Sequence, residues 1–179
     1  MRTWIALLRG INVGGRNALP MTELVDILQT FNLKNVRTYI QSGNVVFQSS
    51  RQVPSKLAAK IATQIEKHRG FTPDVLILSA EDWQLAVDSN PFPEAESDPK
   101  TLHCFFLSTT PVAPDMETMS RAKTPAERFQ LTDKVFYLHA PDGIGRSRLA
   151  AKVEKHLGVA ATARNWRTVQ KLLEMANST

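Results

Sequence analysis

A single cysteine, Cys104, and only two tyrosines occur in the 179 residues, and aromatic side chains make up 7% of the chain. One cysteine can neither close an internal disulfide nor build a thiolate zinc site. That fits a reducing compartment, so a cytoplasmic location is expected. The longest apolar run, Trp4 to Leu8, falls far short of the ~20 residues a membrane helix needs, and no charged-then-apolar leader precedes it. Neither anchoring nor export is expected. Several catalytic signatures are missing too. The four histidines show no i,i+4 pairing, no H-E-x-x-H or Cys/His zinc spacing occurs, and Ser42 lacks a G-x-S-x-G elbow. The reading is no metal, no assignable catalytic residue and no nameable cofactor.

What the chain does hold is ordinary globular composition, 42% apolar and 22% charged, at a length that suits one sizeable domain or two small ones. Its charge is unevenly spread. Residues 81–99 contain six acids and no Lys or Arg, which leaves 22 bases against 11 acids elsewhere, a net of 11 positive charges. Such a surplus favours anionic partners such as nucleotides, phosphorylated metabolites or nucleic acid, and it also serves plain solubility.

Periodicity divides the chain into two similar halves. Thr3 to Arg9 reads as a buried strand, and Pro20 opens a helix with Met21, Leu24, Val25, Leu28 and Phe31 on one face. Residues 35–40 and 44–49 form a hairpin through a Ser-Gly turn, a second helix starts near Pro54, and Pro73 to Ser79 is another strand. The order β-α-β-β-α-β is the split βαβ, or ferredoxin-like, arrangement. Ser79 and Asp82 stand at capping distance before a short helix that runs to Asn90, and residues 90–100 hold three prolines and three acids, a composition poor in helix and strand. The second half restarts with a strand at 101–108, a helix at 114–122 and a hairpin of 128–131 with 135–139. A helix follows from near Ser147 to Gly158, then a short final strand at 159–162 and a last helix from about Asn165. The expected architecture is α+β: two ferredoxin-like halves packed together, with mostly antiparallel sheets. The first half spans 1–80, a short helix and acidic connector 81–100, and the second half with its C-terminal helix 101–179.

Four stretches offer chemistry. In the first, Arg9, Gly10, Asn12, Gly14, Gly15 and Arg16 lie in a Gly-rich loop between a strand and a helix. Backbone amides and two arginines there suit a phosphate or carboxylate. The spacing is neither a Walker loop nor G-x-G-x-x-G, and the glycines equally serve positive φ. In the second, Arg37, Tyr39, Gln41 and Asn44 on the hairpin offer a cation, a phenol and two amides for recognition, or for pairing between the halves. The third, residues 141–147, is another Gly-rich turn, with Ser147 available to begin a helix. In the fourth, Arg164 and Asn165 crowd the start of the last helix, where Asn165 also suits a cap, and Trp166 falls in the apolar stripe. Cys104 reads as a small buried hydrophobe.

The phrases ALLRGINVGGRN, TYIQSGNVVF, GIGRS and TARNWRTVQKLL, in that order along the chain, resemble the bacterial family catalogued as domain of unknown function 1697. The resemblance implies a compact α+β protein of about this length and no assigned activity, so it assigns no catalytic residue. The functional expectation therefore rests on the residues: a small anionic ligand, phosphate- or nucleotide-like, at the Gly/Arg loop. The alternatives are single-stranded nucleic acid, with Tyr39 as a stacking platform, or a non-catalytic interaction module.

Overall fold

The computed structural model describes residues 1–50 and 54–178, with side chains from 56 onward in the second of these stretches. Among the described residues the chain forms eight strands and six α-helices. It divides into two compact units, Met1–Leu85 with Lys171–Thr179, and Ala86–Gln170.

In the first unit the order is β1 (Arg2–Arg9), α1 (Met21–Gln29), β2 (Lys34–Tyr39), β3 (Asn44–Ser49), α2 (Pro54–Arg69) and β4 (Asp74–Ser79). The strands make one antiparallel sheet in the order β2-β3-β1-β4. β1 is central because it is apolar on both faces. Trp4, Ala6 and Leu8 enter the core with α1 and α2, while Ile5 and Leu7, pointing the other way, are also fully buried. α1 presents Met21, Leu24, Ile27 and Leu28 to that core and α2 presents Ile61 and Ile65, in both cases at the three-to-four-residue spacing of a helix stripe. α3 (Ala80–Asp88) follows β4 directly. Its start is capped as the sequence predicts: the Asp82 amide donates to Ser79 Oγ at 3.0 Å.

The second unit repeats the plan with β5 (Leu102–Leu107), α4 (Met116–Ala122), β6 (Arg128–Leu131), β7 (Val135–His139), α5 (Val153–Leu157) and β8 (Ala161–Asn165). Its antiparallel sheet runs β6-β7-β5-β8. Phe105, Leu107, Phe136, Leu138, Leu149, Val153 and Leu157 build its core. Phe136 meets Phe105 edge-on at 5.7 Å and stacks on Phe129 at 5.3 Å. α6 (Trp166–Asn177) begins in this unit, and its residues from Lys171 on belong to the first.

Three local expectations change. The final strand lies at Ala161–Asn165 rather than 159–162, so Arg164 sits in the ladder opposite Cys104 and Asn165 opposite His103. Sheet pairing with β5 overrides the low strand propensity of this polar segment. The helix from Ser147 is α-helical only from Val153. Before it the chain is wound by i→i+3 bonds, Ser147 to Ile144 and Lys152 to Leu149, and Ser147 Oγ accepts from the Ala150 amide at 2.9 Å. The acidic connector is not structureless. Pro93–Ser97 forms a 3-10 turn, Phe92 and Ala95 are buried, and the Arg128 guanidinium lies 4.8 Å from the Phe92 ring centre.

Candidate functional site

The Gly-rich loop is a miniature hairpin. Val13 and Arg16 pair across Gly14 and Gly15, whose φ angles of +56° and +73° are those of a tight reverse turn that glycine adopts without strain. The Arg16 amide donates to Val13 O at 3.0 Å, the Asn12 amide to Asn17 O at 3.1 Å, and Asn17 Nδ2 to Gly10 O at 2.7 Å. Asn12 and Asn17 are themselves left-handed, a conformation asparagine tolerates better than most residues.

A second loop, residues 40–43, joins β2 to β3 and lies against the first. Asn12 is the joint: its Nδ2 donates to Gln41 O at 2.8 Å and to Leu19 O at 2.9 Å, and its Oδ1 accepts from the Leu19 amide at 2.8 Å. The Leu8 amide also donates to Gly43 O at 2.8 Å. At Gly43, φ is +74°, and an added Cβ would stand 2.7 Å from Leu8 Cβ and 2.8 Å from Ile11 Cδ1, so glycine is required there for space as well as for backbone. Asn44 is fully buried, its Nδ2 donating to Tyr39 O at 3.1 Å and Ser42 Oγ at 2.8 Å. The structure thus brings together Arg9, Gly10, Asn12, Gly14, Gly15, Arg16, Gln41 and Asn44 at the end of the first sheet where β1 stops. Within this group Asn12 and Asn44 are braces.

Two of the expected cations are engaged. Arg9 Nε lies 3.2 Å from Asp74 Oδ2. Arg37 donates through Nη2 to the Met175 carbonyl and through Nη1 to Ser178 Oγ at 3.3 Å, so its guanidinium joins the Ser178 hydroxyl at the C-terminal end of α6. Arg16 is exposed and makes no ion pair among the described residues. Tyr39 pairs with Asn44 at the last rung of the hairpin.

Arg164 and Asn165 belong to the second unit. Arg164 Nη1 donates to Ala163 O at 2.8 Å, and burial brings its pKa down to about 10, which leaves it cationic at neutral pH. Asn165 Oδ1 accepts from the Thr168 amide at 3.0 Å and caps α6. Cys104 is fully buried and its thiol is pushed far above its ordinary range by desolvation. No group of three or more metal-ligating side chains occurs among the described residues, and no described helix is long and apolar enough to cross a membrane.

Sequence reasoning missed the apolar part of this surface. Ile40 is left-handed at φ +49°, which is rare for a β-branched residue, and it is 53% exposed; Val13 is 66% exposed. They flank the Asn12–Gln41 hydrogen bond on either loop. The alternating pattern of β2 gives no hint that its continuation at Ile40 turns left-handed.

A protein of two four-stranded antiparallel sheets with a braced pair of loops at one sheet end is the class defined so far. The chain belongs to the family described as "Protein of unknown function (DUF1697)", whose model matches residues 1–137. Among solved structures it is similar to that of the conserved bacterial protein SP0830 from Streptococcus pneumoniae, at 25% identity, 98% coverage of both chains and a TM-score of 0.76. No curated protein matches it.

Proposed function

We propose that this chain binds a small anionic ligand, phosphate- or nucleotide-like, on the surface formed by the Gly10–Asn17 loop and the 40–43 turn. Each half supplies a ferredoxin-like frame, which hosts many functions and selects none, so the reading rests on the site. The observation that carries it is Ile40. A β-branched residue at φ +49° stores on the order of 1–3 kcal/mol of strain, and such strain persists where surrounding bonds over-determine the backbone, with clusters at active sites, ligand clamps and switch regions. Here the strain holds an apolar side chain out in solvent, on the same surface as the exposed Arg16, Gly14 and Gly15. Arg16 and the glycine backbone suit the anion, and Val13 with Ile40 suit an apolar or planar body attached to it. A single-stranded nucleic acid would have to be read at these loops, since the central strand of the first sheet is buried on both faces.

The test is thermal stability across a panel of nucleotides and sugar phosphates. A ligand at 100 times its dissociation constant adds ~2.7 kcal/mol. Arg16→Ala is expected to remove most of that shift. Ile40→Asn, which tolerates the left-handed backbone, is expected to raise the stability of the free protein by on the order of 1 kcal/mol while weakening the ligand shift. No response of the wild type to any anion of the panel, or an undiminished response in Arg16→Ala, rejects the site.

A further inference from the structure

At the other end of the first sheet lies a cavity of about 260 Å³. Its floor is Trp4 of β1, Ser49 of β3 and Ile77 of β4, and its apolar walls are Phe31 and Leu33 after α1 and Leu57 of α2. Lys56 and Lys60, one helical turn apart on α2 and both exposed, stand at its rim. Trp4 and Arg9 are separated along β1 by roughly 17 Å of strand, so this cavity is distinct from the loop surface.

Two features give the cavity a chemical sign. The rim is cationic: besides the two lysines, the first turn of α2 carries no acidic residue, and the positive end of that helix's dipole lies on the same side. None of the described lining residues is a carboxylate.

We infer that this cavity binds a small carboxylate with an apolar, ring-sized body, its carboxylate held between Lys56 and Lys60 and its body packed on Trp4, Phe31, Leu57 and Ile77. The volume agrees with that occupant: an engineered apolar cavity of about 150 Å³ holds benzene, so 260 Å³ leaves room for a ring and a short acid-bearing arm. An amine of the same shape is repelled by the rim, and a neutral molecule forgoes its attraction.

The probe is 3-phenylpropionate, titrated into the full-length, nitrogen-15-labelled protein while the indole N–H signals of its three tryptophans are followed. The Trp4 indole signal is expected to move and saturate, while those of Trp83 and Trp166, both fully buried, stay in place. The double variant Lys56→Gln/Lys60→Gln, altered only at exposed positions, is expected to bind about tenfold more weakly, and 3-phenylpropanol to bind the wild type about tenfold more weakly than the acid. A Trp4 signal that does not move up to the solubility of the probe overturns the site. Equal binding of acid and alcohol, undiminished binding by the double variant, or tighter binding of phenyl phosphate than of the acid overturns the carboxylate assignment. The loop surface enters none of these outcomes, so this inference and the phosphate-like site fail or stand separately.

Discussion

His103 on β5 is 7% exposed, and burial holds its imidazole below the ordinary value of 6.5, outweighing a favourable backbone contact at Thr101. His139 on β7 shifts the same way, through burial first and the neighbouring Arg128 cation second. In the unfolded chain both rings take up a proton near 6.5; in the folded chain they do so only at lower pH. Between those values the unfolded state binds more protons, so stability rises with pH there. The contribution is complete above 6.5 and is lost as pH falls through the folded values. The urea midpoint of the wild type is therefore expected to drop on going from about pH 7.5 to about pH 5, and His103→Gln to show a shallower drop. An identical pH slope in the variant would exclude His103 as its source.

Asn12 shows how one side chain joins two elements that are far apart in sequence. Its three hydrogen bonds tie the loop after β1 to the approach to α1 and to the turn between β2 and β3. Asn12→Ala is expected to destabilise the first unit by about 1–3 kcal/mol. Hydrogen exchange at the Leu19 amide, which would lose its acceptor, should quicken far more than exchange in the strand centres; unchanged exchange there would remove Asn12 as the joint. At this scale the sequence was a good guide where periodicity was strong. The two hairpins, α1, α2 and the Ser79 cap emerged at or near their observed bounds because a buried stripe and a capping residue are local signals. β8 was misplaced because only its partner β5 makes residues 161–165 a strand. Periodicity places a helix from near Ser147 to Gly158, but it cannot tell that the first turn is wound as 3-10 helix. The candidate loop was legible from its glycines, whereas the cavity was not, because Trp4, Phe31 and Lys60 converge only through the fold.

Across the whole molecule, the lone cysteine becomes a reporter. Cys104 is fully buried in the second unit, and desolvation suppresses its reactive thiolate. A thiol reagent is expected to label it only as fast as that unit opens, with the rate climbing with urea alongside the loss of structure. Rapid labelling of the native protein, independent of urea, would contradict the burial.

The first unit is also discontinuous: Met1–Leu85 is completed by Lys171–Thr179 only after the whole of Ala86–Gln170 has been made. At translation speeds of roughly 5–20 residues per second, that interval lasts on the order of ten seconds. Throughout it the nascent first sheet lacks the helix end whose Met175 carbonyl and Ser178 hydroxyl Arg37 binds, and lacks the buried Leu172, Met175 and Ala176. Of the two units the one begun earlier is thus completed later, and it is while residues 86–170 are being made that this half is most exposed to chaperones and to aggregation.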